Sequence, residues 1–416
     1  MAVKPGYKQT DVGVIPQEWD VRRLGDLGTV VRGGSPRPAG DPRYFNGDFI
    51  PWLTVAALTN IPENQLTVSE TVGFLTKEGS RHSRTLVDGT LIIANSGATL
   101  GVAKLLGVTC CANDGIAAII NQRLGDKPFV CFYINTQTKN LREVVATGNG
   151  QPNLNTRLIR EMAIPFPPPA EQRVIAEALS DVNGLLGSLE RLIAKKRDLK
   201  QAAMQHLLTG QTRLPAFDGE WAAKRLGDVG VFLKGRGIKK DEVVADGMPC
   251  VRYGEIYTHH NDYLRTFNSF IAPDTAKQSR RIQKGDLLFA GSGETAEEIG
   301  KCVAFLGDEE AYAGGDIVIF RPANQDSKFL GYLMNHSSVA SQKACMGQGD
   351  AVVHISARSL ARLELHLPDR PEQTAIAEVL SDMDDDLAAL EQRRDKTRAL
   401  KQGMMQELLT GRTRLV

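Results

Sequence analysis

Apolar residues recur at alternating spacings of four and three along two long stretches of the chain. They are Ile175, Leu179, Val182, Leu186, Leu189 and Ile193 in the first, and Ile376, Leu380, Met383, Leu387 and Leu390 in the second. This spacing puts one narrow apolar stripe along an α-helix, as in the seam of a coiled coil. We predict two helices of about 40 residues, each roughly 60 Å long. Each seam needs a partner, and the other helix, running antiparallel, is the natural one; the alternative is two independent amphipathic core helices.

The two stretches are copies of one another. Glu171 to Leu214 recurs as Glu372 to Leu415, at an offset of 201 (372 − 171) without a gap. Both copies end in Leu-Leu-Thr-Gly, which puts a glycine where a left-handed helix cap is favoured. Prolines precede both copies and bound the helices, since proline is disfavoured inside a helix. Two copies of one unit are therefore expected.

The duplication extends through the rest of the chain. Glu-Trp followed by Arg-Leu-Gly-Asp occurs at residues 18–26 and again at 220–228. Strand-like apolar runs then recur in the same order, each ending at turn residues. They lie at 29–31, 50–53, 91–94 and 116–120, and at 231–233, 248–251, 287–290 and 317–320; short helices are predicted at 129–134 and 329–334. The order is globular module, long helix, globular module, long helix, so the predicted class is α+β with an internal pseudo-repeat.

The loops of the two modules differ although the framework is shared. Residues 37–46 have no counterpart in the second module, and residues 253–260 have none in the first. Recognition usually sits on loops carried by a rigid scaffold. One scaffold with two loop sets therefore indicates two receptors for two different ligands.

Composition describes an ordinary globular protein with 42% hydrophobic and 24% charged residues. The net charge of +1 does not predict a polyanion partner for the molecule as a whole, so a nucleic-acid surface would have to be local. No apolar run is long enough for a membrane span, and the first residues lack a secretory signal. The six cysteines show no CxxC spacing. That pattern favours reduced thiols and a cytoplasmic location, with no zinc site.

Motifs for catalysis are missing from the sequence. There is no phosphate-binding G-x-x-x-x-G-K-[ST], no dinucleotide loop, no G-x-S-x-G and no H-E-x-x-H. Phe166 to Pro169 lacks both ends of an amino-methyltransferase motif. His259 and His260 with Asp262 could suggest a metal, although adjacent histidines on a strand point opposite ways, and a solvent-exposed or base-reading loop is the simpler interpretation.

Glycine-rich basic loops favour DNA as the ligand. Arg and Lys beside Gly supply cations and a backbone that can approach phosphates closely, and Arg, Lys, Asn and Gln suit base edges in the major groove. A plain solvated loop remains the alternative for each single residue. With the Ser-Gly turns that follow the buried runs, the DNA-binding candidates are Arg32, Ser35, Arg37, Asn95, Ser96, Asn149, Gln151, Asn153, Lys234, Arg236, Lys239, Lys240, Arg252, Tyr253, Ser292 and Gln348.

This doubled arrangement closely resembles the specificity (S) subunits of type I restriction-modification systems. The resemblance covers nearly the whole chain. It is carried by the two Glu-Trp…Arg-Leu-Gly-Asp openings, the two Ser-Gly turns, and the two Pro-rich entries into Glu-Gln-x-x-Ile-Ala helices that end in Leu-Leu-Thr-Gly.

The resemblance implies two target-recognition domains, residues 1–168 and 214–367, each reading half of a bipartite DNA site. It implies that the helices, residues 169–213 and 368–416, act as a spacer and dock two methyltransferase (M) subunits, with restriction (R) subunits completing the complex. S-adenosylmethionine, ATP and Mg²⁺ would belong to those partners, and this chain would carry no cofactor, metal or catalytic residue.

Helix length adds a geometric expectation. Two DNA-recognition domains separated by paired helices of roughly 60 Å cannot contact adjacent bases. They would bind half-sites about one turn of the DNA duplex apart, on the order of 34 Å. Since the loop sets differ, the two half-sites should differ as well. The alternatives are a protein-interaction scaffold without DNA specificity, or a self-sufficient DNA methyltransferase or nuclease, which the missing cofactor motif disfavours.

Overall fold

The computed structural model describes residues 4–71, 73–145, 153–349 and 352–415. The chain divides into two compact units: unit 1 is Met1–Leu192 with Leu390–Val416, and unit 2 is Ile193–Ala389. Each unit thus contains one globular domain together with part of both long helices. The units cut across both helices, so the four segments expected from the sequence stay a prediction of how the chain is divided.

The first domain is built from short strands and helices. Its strands are β1 Tyr7–Thr10, β2 Gly13–Pro16, β3 Asp20–Arg23, β4 Thr29–Arg32, β5 Phe45–Leu53, β6 Thr67–Val68, β7 Gly73–Leu75, β8 Arg84–Leu86, β9 Leu91–Ala94, β10 Ala103–Leu106, β11 Cys110–Ala112, β12 Ile116–Ile120 and β13 Ala163–Phe166. Its helices are α1 Leu24–Leu27, α2 Val55–Thr59, α3 Lys77–Arg81, α4 Lys127–Thr136, α5 Thr138–Asn140 and α6 Thr156–Glu161, with a π-helical turn at Leu141–Val145.

Two sheets form the body of this domain. One has the strand order β4-β12-β9-β10-β6 and the other β7-β5-β11-β8, while β13 pairs with β3 and β1 with β2. Most neighbours are antiparallel, but β10–β6 and β11–β5 are parallel. Strand β9 is buried along its whole length, as expected for a continuous apolar run between two neighbouring strands.

The second domain repeats this plan with different loops. Its strands are β14 Ala222–Arg225, β15 Gly230–Lys234, β16 Val243–Val244, β17 Met248–Val251, β18 Ser269–Ile271, β19 Arg280–Ile282, β20 Leu287–Ala290, β21 Ser292–Gly293, β22 Cys302–Ala304, β23 Ala311–Ala313, β24 Ile317–Pro322, β25 Val353–His354 and β26 Glu364–Leu367. Its helices are α7 Tyr253–Thr258, α8 Pro273–Gln278, α9 Ser327–Asn335, α10 Ser337–Met346 and α11 Ala357–Leu360, with 3-10 turns at Leu226–Asp228 and Lys240–Glu242.

Sheet order confirms the duplication of the fold. The order β15-β24-β20-β22 matches β4-β12-β9-β10, and β18-β17-β23-β19 matches β7-β5-β11-β8. The pair β14–β26 corresponds to β3–β13. The strand runs and the short helices expected at 129–134 and 329–334 are all present. Two similar α+β domains are therefore confirmed.

The two long helices have the same length. Helix αL1 spans Pro169–Leu207 and helix αL2 spans Arg370–Leu408. The expectation that the prolines lie outside the helices was wrong in detail, since Pro169 and Pro371 lie in the first turns, where proline lacks only an N–H that has no helical partner. Gly210 and Gly411 both have φ of 70°, which confirms the left-handed caps.

The helices pair antiparallel within each unit. In unit 2, Lys196 Nζ lies 2.8 Å from Asp386 Oδ2 and Lys200 Nζ 2.6 Å from Asp384 Oδ1, so numbers rise on one helix as they fall on the other. In unit 1, Arg398 lies 3.4 Å from Glu190. The antiparallel pairing is confirmed.

The apolar stripe serves the domain cores as well as the pairing. In unit 1, Ile175 and Leu179 are buried among Trp19 and Phe129 of the first domain and Leu408 of αL2. In unit 2, the equivalent cluster joins residues of the second domain with Ile376, Leu380, Leu207 and Leu208. Further along the stripes Leu186, Leu189, Ile193 and Leu387 are buried, whereas Val182, Met383 and Leu390 are half-buried. The two interpretations of the stripe, helix pairing and core packing, therefore hold at once.

Buried glutamates explain the repeated Glu-Trp and Glu-Gln motifs. Glu171 accepts a hydrogen bond from Trp19 Nε1 at 2.9 Å and is ion-paired with Arg414. Glu372 accepts from Trp221 Nε1 at 3.3 Å and is ion-paired with Arg213 at 2.6 Å. Each motif thus ties a domain to the start of one helix and the segment after the other. None of the helices in the described ranges is long and apolar enough to cross a membrane.

Candidate nucleic-acid interface

A cluster of predicted DNA-binding residues in the first domain gathers on Asp114. Arg32, at the end of β4, donates from Nε to the carbonyl oxygen of Asp114. Ser35 Oγ donates to Asp114 Oδ1 at 2.7 Å, and the Arg37 guanidinium lies 3.6 Å from the same carboxylate. The Arg37 side chain is 74% exposed. The turn therefore holds two arginines and a hydroxyl at the surface in a defined arrangement.

Close backbone contact explains the glycine after Arg32. A Cβ on Gly33 would collide with the carbonyl oxygen of Asn113, in the turn between β11 and β12. Arg84 Nε also donates to the carbonyl oxygen of Arg32 at 2.7 Å, so a third arginine is fixed beside the turn. Glycine is thus needed for the two turns to meet.

The Ser-Gly turn of this domain lies just below that cluster. Asn95 is 1% exposed and donates from Nδ2 to the carbonyl oxygen of Asp114 at 3.3 Å. Ser96 is half-buried and forms an antiparallel bridge with Asn153. Asn95 is thus placed to support the turn from the interior of the domain. Contacts of Asn95, Ser96 or Asn153 with DNA bases stay a prediction. Asn149 and Gln151 lie outside the described residues.

The same turn is built in the second domain with other side chains. A Cβ on Gly235 would collide with the carbonyl oxygen of Gly314, and Arg280 Nε donates to the carbonyl oxygen of Lys234 at 3.2 Å. The sequence here has Gly315-Asp316 where the first domain has Asp114-Gly115. The acidic residue is thus shifted by one position, and Lys234 and Arg236 remain exposed.

Four of the predicted residues converge on one cavity of the second domain. It has a volume of about 450 Å³, and its lining includes Lys239, Lys240, Arg252, Tyr253 and Asp316. Arg252 Nε is held by Glu255 Oε1 at 3.1 Å, next to the start of α7. An aromatic ring among three cations suits a nucleic-acid surface, because cations bind phosphate and rings stack or pack on bases.

A second cavity of about 450 Å³ adjoins the first through Gly315 and Asp316. Lys234, Ser292 and His354 line it. Ser292 is 7% exposed and lies 3.0 Å from His354 Nδ1, while Gln348 exchanges backbone hydrogen bonds with His354. The structure thus places six of the eight candidates of the second domain at two adjoining cavities, with Gln348 next to His354.

The sequence does not predict the role of the acidic residues in these turns. Asn113-Asp114-Gly115 is a turn signal first and a ligand site second. The signal that could have found them is their shared position, one or two residues before the buried strands β12 and β24. An acid there can orient cations, and it can also accept a hydrogen bond from cytosine N4.

The histidines considered for a metal site are arranged differently. His260 is buried, which lowers the pKa of its imidazole, and its ring centroid lies 6.4 Å from that of His259. The Asp262 carboxylate interacts instead with Asn335 Nδ2 at 3.1 Å and Lys200 Nζ at 3.6 Å. Across the described part of the chain, no group of three His, Cys, Asp or Glu side chains is placed to hold a metal ion.

Comparison with known proteins points to one family. A family model described as the type I restriction modification DNA specificity domain matches the chain twice, at residues 16–195 and 218–398. The chain is 22% identical over 433 residues to the type I restriction enzyme MjaVIII specificity subunit of Methanocaldococcus jannaschii, covering 96% of this chain and 94% of that protein. It is 20% identical over 305 residues to the EcoKI specificity subunit of Escherichia coli K12, covering 70% of this chain and 65% of that protein.

Two solved structures share the fold. The crystal structure of a type I restriction-modification S subunit from M. genitalium superposes with a TM-score of 0.62 at 15% identity, covering 97% of this chain and 98% of that one. A chain from a study of complex assembly and conformational transition in a type I R-M system gives 0.58 at 17% identity, covering 95% and 99%. At these identities the likeness is one of architecture.

Proposed function

The chain belongs to the type I restriction-modification DNA specificity family, and from that premise we propose that each of its domains reads one half of an asymmetric, bipartite DNA site. The chain is the specificity subunit and not the enzyme of its system. In this proposal the first half-site is read around the Asp114 turn and the second around the two adjoining cavities of the second domain.

One observation carries the two-reader proposal: the same glycine turn presents different chemistry in each domain. In the first it carries Arg32, Ser35 and Arg37 around Asp114. In the second it is flanked by Lys239, Lys240, Arg252 and Tyr253 around Asp316. A bidentate arginine suits guanine, whereas an acid suits cytosine, so different side chains on matching turns should select different bases.

The helices supply the second part of the proposal. Because αL1 and αL2 are equal in length and both run through the two units, they would fix the distance between the half-sites and provide the surface on which two methyltransferase subunits dock. Restriction subunits would complete the complex. S-adenosylmethionine, ATP and Mg²⁺ are assigned to those partners, and the complex to the cytoplasm.

The proposal is tested by mapping methylated adenines in DNA modified by this chain co-expressed with its methyltransferase partner. One asymmetric split motif is expected, and mobility shifts of the purified complex should show the same preference. Absence of sequence preference in the assembled complex would favour a protein scaffold instead. Methyl transfer by the purified chain alone with S-adenosylmethionine would favour a self-sufficient methyltransferase.

A further inference from the structure

The two halves of the repeat treat an equivalent lysine differently. Lys200 of αL1 and Lys401 of αL2 are related by the offset of 201 (401 − 200). In unit 2, Lys200 Nζ lies 2.6 Å from Asp384 Oδ1 and 3.6 Å from Asp262 Oδ2. Tyr332 Oη also donates to Asp384 Oδ2 at 2.6 Å. The half-buried ammonium of Lys200 is therefore paired with carboxylates inside its own unit.

Unit 1 lacks these carboxylates at the equivalent positions. Asn183 replaces Asp384, again at the offset of 201. Leu66 replaces Asp262, because the Leu66 carbonyl accepts from Leu105 N on β10 as the Asp262 carbonyl accepts from Ala304 N on β22. The strands correspond because Ala103 N and Cys302 N donate to equivalent asparagines, Asn135 and Asn335.

Among the residues that the structure describes, Lys401 consequently has no carboxylate paired with it, although Glu63 and Glu190 act on its ammonium electrostatically. It is only 8% exposed, and no hydrogen bond or ion pair joins it to other residues of the described chain. Burial lowers the pKa of its ammonium, since desolvation disfavours the charged form. Asn183 Oδ1 is likewise buried without a partner among the described residues. Buried polar groups are normally paired with another group or with water, so Lys401 and Asn183 are open to a further partner here.

Lys401 lines a cavity that can accept such a ligand. The cavity has a volume of about 540 Å³ and is also lined by Lys104, Glu63, Phe132 and Met405. Lys104 is 3% exposed, with Nζ donating to the carbonyl oxygens of Pro62 and Gln65. Glu63 is exposed and forms no ion pair with either lysine in the described ranges, but its charge partly offsets the lowering of both lysine pKa values. The ionisable side chains that line the cavity are thus two cations and one anion. The other lining residues are partly apolar.

We propose that this cavity is a binding site for a carboxylate attached to a short apolar group. The carboxylate of the ligand would pair with Lys401 in the way that the carboxylates of Asp384 and Asp262 pair with Lys200 in unit 2. It can be free, as in a small organic acid, or carried by an acidic side chain of a docked protein. An ion pair there would offset the desolvation of Lys401.

A first experiment tests a free carboxylate by measuring thermal unfolding of the full chain in sodium butyrate. Sodium chloride at matched ionic strength is the reference. Butyrate should raise the Tm by roughly 3 °C at ten times its dissociation constant. Lys401→Met should abolish the rise, whereas Lys396→Met, at an exposed lysine of the same helix, should keep it. Asn183→Asp should raise the Tm without butyrate and remove the response, because it supplies the carboxylate internally.

A second experiment tests a carboxylate carried by a docked protein, and it rests on the proposed docking of methyltransferase subunits. If butyrate has no effect, Lys401→Met and Asn183→Asp should each weaken assembly with those subunits about tenfold, and Lys396→Met should not. If the wild-type chain does not assemble, the docking proposal fails, and the butyrate result alone decides the cavity. The carboxylate site is overturned if Lys401→Met behaves like Lys396→Met in both arms, or if Asn183→Asp lowers the Tm.

Discussion

At the scale of single residues, two buried glutamates hold each domain to the long helices. Glu171 and Glu372 are 0% and 1% exposed. Each accepts hydrogen bonds from a tryptophan indole N–H and from an arginine guanidinium group. Removing one partner of a buried ion pair costs more than the pair contributes, because the remaining polar groups stay desolvated. These sites should therefore respond strongly to substitution.

We expect Glu171→Ala to lower the free energy of unfolding of unit 1 by about 3 kcal/mol. Trp19 Nε1 would lose its acceptor and Arg414 its main counter-ion. The measurement is urea unfolding followed by tryptophan fluorescence. Glu18→Ala is the matched control, since Glu18 contacts Arg414 from an exposed position at 3.2 Å. An equal loss in the control would contradict the role assigned to the buried carboxylate.

Asp114 allows a second prediction at this scale. Asp114→Asn should raise the affinity of the assembled complex for DNA of any sequence, because a negative charge is removed beside the phosphates. It should also reduce discrimination at the first half-site by about 1 kcal/mol, since Arg37 loses its ion pair. Anisotropy titrations with duplexes altered in one half-site would measure both. Asp316→Asn should affect only the second half-site; a change at both half-sites in either variant would contradict the assignment.

At the scale of elements, αL1 and αL2 are expected to measure the distance between half-sites. Inserting seven residues at the middle of both helices adds about 10 Å, or roughly three base pairs at about 3.4 Å each. The gap in the recognised site should grow accordingly while both half-sites stay the same. Methylation mapping gives the result. Altered half-sites with an unchanged gap would refute the proposed ruler, and lengthening only one helix should instead destabilise the pairing.

Some elements of the fold could be predicted from the sequence, and others could not. Periodicity located both long helices, and the repeat located the buried strands such as β9 and β20, because these patterns are local. The parallel pairing of β11 with β5 joins residues far apart in sequence, which no local pattern encodes. The Asp114 cluster was missed for the same reason, since Ser35 and Asp114 are 79 residues apart. The double role of Ile175 and Leu179 could not be resolved because core packing and helix pairing require the same apolar residues.

At the scale of the whole molecule, specificity should arise from simultaneous use of both domains. Linking two binding modules makes the second contact intramolecular and raises avidity by about 100-fold or more. The assembled complex should therefore bind a duplex with both half-sites at least that much more tightly than one with either alone. Moving the half-sites by about five base pairs, half a helical turn, should remove the advantage. Anisotropy titrations would measure it, and equal affinity for single and paired half-sites would contradict joint recognition.

The segments around Glu171 and Glu372 have one more consequence. In unit 1, Tyr7 Oη donates to the Gly411 carbonyl at 3.1 Å and Arg414 reaches Glu18, so residues from opposite ends of the sequence lie side by side. In unit 2, the equivalent residues Gly210, Arg213 and Trp221 are joined by a continuous linker. In unit 1 these contacts thus join segments that are 404 residues apart in the sequence. The equivalent contacts around Glu372 are therefore expected to survive a break of the chain in the linker between Arg213 and Trp221.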